Sequence, residues 1–282
     1  MPDISILTTS YNKEQFISEC IESVLKSSHQ NWEMIILDDC STDSTYLILE
    51  RYALQDQRIR IFKNDKNLGD YANRNEIVKY SNSEYIKYLD ADDMIYPWAI
   101  EYILNYFKIN KDICWALDSI NQSDEYPFPH ILDRIEIYEG HFNKGLSIFS
   151  KAPSSVTFKK DYFIKNNGFM ELPMVGDMEF WLRLALNSKL MLLPHGFIWS
   201  RGIENNDSES ARNNTKTEII LLYNRILLFY LKKIKFKNQR KIIASLKSQI
   251  IKILLKSIFK PAAILRFIVL YKKFKLNSEN VD

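Results

Sequence analysis

From the N-terminus to about Leu117 the chain alternates between two hydrophobic periods. ISILTT (Ile4–Thr9), EMIILD (Glu33–Asp38), Ile59–Phe62, Tyr85–Leu89 and Ile113–Leu117 are short apolar runs of strand length. Between them apolar residues recur at helical spacing. Phe16, Cys20, Ile21, Val24 and Leu25 share one face, and Leu47, Ile48 and Tyr52 another. Tyr71–Tyr80 and Trp98–Phe107 read as two further helices, and Ser41, Thr42 and Asp43 offer caps for the helix that follows them. This β-α-β-α order predicts an α/β fold, a mostly parallel twisted sheet with helices on both faces.

Regularity fades between Ser119 and Gly145, where Pro127 and Pro129 break any long element. SSVTF (Ser154–Phe158) restores a strand, Asn167-Gly168 a turn, Asp177 to about Leu186 a helix, and Leu190–Leu193 a strand. Beyond Thr215, ILLYNRILLFYLKKIKF, IIASLKSQIIKILLKSIF and ILRFIVLYKKFKL are apolar at helical spacing with Lys and Arg elsewhere, and Pro261 is placed to open the last helix. The expected division is a domain over 1–214, itself halved at 117/118, followed by a helical region over 215–282.

Charge sharpens that last boundary. The net charge is +3, yet from Ile219 to Ser278 there are fifteen Lys or Arg and no acid. Residues 1–218 are therefore acidic overall. Basic amphipathic helices bearing aromatics suit an anionic membrane surface; plain packing with solvated lysines is the alternative. Charge alone also suits nucleic acid, but no binding motif accompanies it, and no nucleic-acid partner is expected. Cys20, Cys40 and Cys114 are widely spaced without a CxxC, which points to a reducing compartment and away from zinc. No apolar run reaches the roughly 18 residues of a spanning helix. The chain opens directly on a strand, without a leader pattern, so the expected location is cytoplasmic, peripheral on the inner face of the membrane.

The chemistry concentrates where strands end. YIKYLDADD places Asp90, Asp92 and Asp93 within four positions after the fourth strand. Like charges this close repel unless a cation sits among them, and hard divalent ions such as Mn²⁺ or Mg²⁺ prefer oxygen ligands. In open α/β sheets, ligands bind outside the carboxyl ends of the strands. The bland alternative is a solvated acidic turn capping the helix that starts near Pro97.

Five segments in this order resemble the family 2 glycosyltransferases of the A-type nucleotide-sugar fold: TTSYNKEQFI (Thr8–Ile17), LDDCSTDST (Leu37–Thr45), NLGDYANRN (Asn67–Asn75), the Asp90-Ala91-Asp92 triplet, and VGDMEFWLRL (Val175–Leu184). The resemblance implies an inverting, metal-dependent transferase that moves a sugar from a UDP- or similar nucleotide-sugar to a hydroxyl. By the same resemblance Thr8, Tyr11 and Glu14 line the nucleotide site, Asp39 reads the base while Asp38 supports its loop, and Arg74 reaches the donor. Asp90 touches ribose or hydrated metal, Asp92 binds the cation that bridges the diphosphate, and Asp177 is the general base that deprotonates the acceptor. Residues 1–117 become the donor-binding half and 118–214 the acceptor half. The basic tail suggests a lipid-linked or surface-polysaccharide acceptor.

This chain departs from the family pattern in three places. Asn73 stands where alanine is usual, Gly176 where a glutamate often precedes the base, and Arg201-Gly202-Ile203 where R-x-H is common. The Ser200–Ser210 loop is a candidate lid, and His141 and His195 read as core or surface residues. Two other functions compete. A sugar-phosphate nucleotidyltransferase would want a glycine-rich loop after the first strand, and TTSYNKEQ has no glycine. A catalytically silent nucleotide-sugar-binding scaffold would not need both the Asp90–Asp93 acids and Asp177.

Overall fold

A computed structural model describes residues 1–120, 127–201, 216–256 and 261–279. The chain divides into two compact units. One is Met1–Asp133, Lys151–Gly168 and Ser188–Arg201; the other is Arg134–Ser150, Phe169–Asn187 and Gly202–Asp282.

Among the described residues the first unit contains ten strands: β1 (Ile4–Ser10), β2 (Trp32–Asp38), β3 (Ile59–Lys63), β4 (Tyr85–Tyr88), β5 (Met94–Ile95), β6 (Trp115–Ile120), β7 (His130–Leu132), β8 (Val156–Lys159), β9 (Leu190–Pro194) and β10 (Ile198–Trp199). Eight of them form a sheet in the order β3-β2-β1-β4-β8-β6-β9-β7, while β5 and β10 make a small antiparallel ribbon. Pairs β1/β2, β1/β4, β2/β3 and β6/β9 are parallel. Strand β8 runs antiparallel to both β4 and β6, and β7 closes the edge antiparallel to β9. The expected α/β architecture with a mostly parallel sheet is what the chain adopts.

Burial explains the order. Every residue of β2 is buried, as a strand covered on both faces requires. On one face Ile4, Ile6, Met34 and Ile36 share a core with Ile17, Ile21 and Val24 of α1 (Ile17–Leu25) and with Ile100, Ile103 and Phe107 of the helix spanning Ala99–Ile109. In chain order that helix is α4, after α2 (Thr45–Gln55) and α3 (Asp70–Ile77). Helix α3 lies against β1 and β2, where Asn73 Nδ2 donates to the Leu37 carbonyl. Away from the site, a buried carboxylate ties β1, β2 and β3 together. Glu33 accepts from Ser5 Oγ at 2.6 Å, Asn82 N–H at 2.6 Å and Arg60 Nη1 at 2.8 Å. Burial pushes its carboxyl up, but these donors outweigh it and hold Glu33 below the usual carboxylate range.

The second unit is helical: α5 (Arg134–Asn143), α7 (Gly176–Asn187), α8 (Lys216–Leu231), α9 (Gln239–Lys256) and α10 (Pro261–Glu279), with the short α6 (Lys160–Lys165) belonging to the first unit. Pro261 does open the last helix. Leu221, Leu222, Ile226, Leu227 and Leu231 of α8 are all buried. A polar knot fastens α8 to α7. Glu179 is bidentate with Arg183, Nε and Nη2 each 2.9 Å from an oxygen, and Tyr230 donates its hydroxyl to the same carboxylate.

Among the described residues, β7 and α5 lie in the stretch from Ser119 to Gly145, where regularity was expected to fade. The apolar residues of α5 follow no clean helical stripe. Ile137 and Tyr138 are buried while Ile135, beside them, is exposed. Tertiary burial, not amphipathic periodicity, holds this helix.

Candidate active site

Strands β1, β2 and β4 are parallel neighbours, so their carboxyl ends open along one edge of the sheet. The register pairs Ser10 with Asp38 and Leu7 with Tyr88. Three of the five sequence segments are thereby brought side by side without any long-range design beyond strand pairing.

The loop after β1 is fastened to the loop after β2. Asn12 adopts φ 51°, a left-handed conformation that asparagine tolerates, and its side chain accepts from Thr42 N–H at 2.9 Å. Ser41 Oγ accepts from Asn12 N–H at 2.9 Å, and Thr45 Oγ1 accepts from Lys13 N–H at 2.8 Å. Glu14 accepts from Ser44 N–H at 2.9 Å, which commits it to the start of α2. Tyr11 sits half-buried at the head of this loop.

The adjacent acids after β2 have divided roles. Asp38 is wholly buried and accepts from Ser41 through both its N–H (2.9 Å) and its hydroxyl (2.5 Å). Asp39 accepts from Asn64 Nδ2 at 2.7 Å, Leu68 N–H at 2.8 Å and Gly69 N–H at 2.9 Å. A carboxylate offers about four acceptor positions, so Asp39 keeps room for one further donor such as an imide N–H of a base. Gly69 holds φ 85° here, the left-handed region that glycine enters freely. The third sequence segment is thus hung from Asp39.

Arg74, on α3, is almost buried. Its Nε lies 2.7 Å from Asp70 and its Nη2 lies 2.8 Å from Asp90 Oδ1. Burial opposes the charge, but the two carboxylates more than offset that and raise Arg74 well above its ordinary value. Its Nη1 has no hydrogen-bond partner. Buried polar atoms are nearly always satisfied, so this one guanidinium nitrogen is left available to a ligand.

Asp90 and Asp92 each have a positive partner, whereas Asp93 has only neutral donors. Asp90 faces Arg74. Asp92 is 2.6 Å from Lys13 Nζ. Asp93, only 5% exposed, accepts from Ser200 Oγ at 3.0 Å and Arg201 N–H at 3.2 Å. Burial, with Asp90 and Asp92 adding repulsion, pushes Asp93 up to about 6. Beneath the run, the buried Cys20 thiol donates toward the Asp90 carbonyl at 3.6 Å and is driven far above its ordinary value by burial first and by these acids second. Lys13 and the Asp93 latch on Ser200–Arg201 were not visible in the sequence. Lys13 lies 79 positions from its partner, and only its place in a loop at a strand end hinted at a role.

The residues suit one kind of metal. Among the described residues no three His, Cys, Asp or Glu side chains are arranged to hold an ion. Two carboxylates beside an anion site is instead the pattern of Mg²⁺-like ions that complete their shell with substrate phosphates and water. Asp92 and Asp90 would hold such an ion.

Asp177 belongs to the second unit, partly exposed at the start of α7. Its Oδ1 accepts from Met178 N–H at 2.7 Å, and its charge, after burial, raises the nearby Tyr223 hydroxyl. Trp181 packs in the core against Phe169 and Phe180, and Arg183 is spent on Glu179. His141 is half-buried, depressed to about 4 by burial, and its Nδ1 accepts from Phe149 N–H; His195 is exposed. Most of the Ser200–Ser210 loop lies outside the described residues.

The fold is that of the A-type nucleotide-sugar glycosyltransferases. TarS of S. aureus, solved with UDP, matches at a TM-score of 0.64 and 18% identity over 86% of this chain and 70% of that one. The mannosyltransferase PcManGT from Pyrobaculum calidifontis, solved with GDP-Man and Mn²⁺, matches at 0.55 and 14% over 96% and 76%. Sequence narrows the class further. The profile of glycosyl transferase family 2 matches residues 5–166, and the chain belongs to that family. WfgD of Escherichia coli, a UDP-Glc:alpha-D-GlcNAc-diphosphoundecaprenol beta-1,3-glucosyltransferase, is 30% identical over 215 residues, 70% of this chain and 76% of that protein. MJ1057 of Methanocaldococcus jannaschii, an uncharacterized glycosyltransferase, is 27% identical over 245 residues, 85% of this chain and 81% of its own. TuaG of Bacillus subtilis, whose name assigns it to teichuronic acid biosynthesis, is 42% identical, but only over 92 residues, 33% of this chain and 36% of TuaG.

Proposed function

We propose that this family 2 glycosyltransferase moves a sugar from a UDP- or similar nucleotide-sugar to an acceptor hydroxyl on a lipid-linked or surface polysaccharide, with inversion. Residues 1–117 hold the donor, 118–214 the acceptor, and 215–282 dock on the inner face of the cytoplasmic membrane. The observation that carries the reading is the buried, unpartnered Nη1 of Arg74 beside the Asp90 and Asp92 carboxylates at the strand ends. Tyr11 stacks on the base, and Asp39 spends its last acceptor position on the base N–H. Arg74, already charged and desolvated, faces the donor's negative charge without reorganising. A bound Mn²⁺ or Mg²⁺ on Asp92 and Asp90 would offset the charge that builds on the departing nucleoside diphosphate. Asp177 takes the acceptor proton as the hydroxyl attacks the anomeric carbon; displacement in one step inverts that carbon.

The membrane assignment draws on what the last helices leave uncovered. On α10, Leu265, Ile268, Val269 and Leu276 are exposed at helical spacing, and Ile251 and Leu255 are exposed on α9. Lysines crowd the same helices. Among the described residues no helix is long and apolar enough to cross a membrane, which leaves the interfacial mode.

The test is a nucleotide-sugar panel with lipid-linked saccharide acceptors, assayed for nucleoside diphosphate release in Mn²⁺ and in EDTA. One donor should turn over in Mn²⁺ alone. Asp177→Asn should bind that donor as tightly as the parent while kcat falls by a factor of 100 or more. An unchanged kcat would assign the base elsewhere, and nucleotide binding with no turnover on any acceptor would favour the silent scaffold.

A further inference from the structure

Lys13 sits where a metal ligand's natural partner would be. Its ammonium is 2.6 Å from Asp92 Oδ2, with both side chains part-buried, 32% and 24% exposed. Its backbone is pinned by Thr45, and the left-handed Asn12 before it fixes the direction in which the side chain leaves the loop. The neighbouring Asp90 is matched in the same way by Arg74, while Asp93 accepts only from the neutral Ser200 hydroxyl and Arg201 N–H. Asp90 and Asp92 are charge-compensated before any ligand arrives.

We infer that Lys13 is a resident counter-ion that keeps Asp92 from binding a divalent ion until the donor diphosphate is present. The inference rests on the metal-dependent transferase reading above. Its physics is a competition at one carboxylate. A lone divalent ion must evict the ammonium and then remain beside it, with Arg74 and Arg201 also close. The Arg201 Nε is itself 3.2 Å from the Asp92 carbonyl. Those like charges repel strongly in a partly desolvated cleft. A nucleoside diphosphate removes the obstacle, because its oxygens give both the ion and the displaced ammonium an anionic partner. Metal and nucleotide therefore bind with positive coupling, and by linkage each raises the other's affinity by the same factor. Lys13 acts through Asp92 and is a positioning residue, not a catalytic one.

The experiment measures Mn²⁺ binding to the full chain by electron paramagnetic resonance of the free ion, without nucleotide and with saturating UDP or GDP. The parent should bind Mn²⁺ weakly alone and at least tenfold more tightly with one nucleotide. Lys13→Met, which leaves the backbone bond to Thr45 intact, should bind Mn²⁺ alone at least fivefold more tightly than the parent and show a correspondingly smaller nucleotide effect. Lys13→Arg should behave as the parent. Adding Asp92→Asn to Lys13→Met should remove the gained site. The inference is overturned if Lys13→Met binds Mn²⁺ alone no better than the parent while the parent with nucleotide binds it well, or if the gained site survives Asp92→Asn. Failure of every form to bind Mn²⁺ with either nucleotide overturns the metal reading itself, a distinguishable result.

Discussion

Asp93 is the residue on which the site's electrostatic tension falls. Its carboxyl is pushed up from 3.8 to about 6, by burial first and then by Asp90. A raised acid pKa means that the folded state prefers the protonated form. Stability attached to this group is therefore intact below the unfolded pKa near 4 and is lost as pH rises toward 6, a cost of about 2–3 kcal/mol above that. Asp93→Asn keeps an oxygen for Ser200 and Arg201 but removes the charge. In EDTA its urea midpoint should exceed the parent's at pH 7.5, with the gap closing by pH 4.5. An equal gap at both values would show that Asp93 is not under strain. The sequence announced this run of acids because three carboxylates in four positions is a rare pattern. It did not announce how Asp39 is spent. Those bonds come from Asn64, Leu68 and Gly69, and depend on how a distant loop is folded.

At the level of elements, the centre of the sheet is pinned by a buried ion pair. Lys87 of β4, wholly buried, places its Nζ 2.5 Å from Asp118 of β6 and 2.6 Å from the Ser154 carbonyl that precedes β8. The three strands are sheet neighbours in the order β4, β8, β6, so the pair spans the strand that runs antiparallel to both its neighbours. Removing one partner leaves the other charge buried without compensation, which costs about 3–5 kcal/mol. Lys87→Met should lower the unfolding midpoint sharply. Lys87→Met with Asp118→Leu should recover much of the loss, as measured by urea denaturation. If the double variant is no more stable than the single one, Asp118 is not what Lys87 compensates.

This level also shows where sequence patterns speak and where they fall silent. Strands β1 and β2 were legible to within a residue or so at each end, because strands covered on both faces are largely apolar. Strand β7, of three residues, and helix α5, without a clean stripe, carry no periodic signal. Their burial is decided by neighbours far away in the chain.

On the scale of the whole molecule, charge and exposed apolar surface coincide. The segment that lacks acids for sixty residues also carries Ile251, Leu255, Leu265, Ile268, Val269 and Leu276 in the open. Solvated lysines alone would not require exposed aliphatic residues at one helix's i, i+3, i+4 and i+11 positions. Interfacial binding uses both, the apolar side chains entering the headgroup boundary and each nearby cation adding about 1 kcal/mol on an anionic surface. The sequence showed the amphipathic helices but could not divide them. Helix α8 spends its apolar face on the second unit's core, so removing everything after Thr215 would strip that core rather than test binding. Substitutions confined to α10 avoid this. Leu265→Asp with Val269→Asp alters only exposed positions and should leave the unfolding midpoint within error. The same pair should abolish co-sedimentation with vesicles containing phosphatidylglycerol. Parent binding should also fall steeply with added salt and vanish on neutral vesicles. Undiminished binding by the double variant would move the docking surface off this face, and binding that ignores both lipid charge and salt would remove electrostatics from the account.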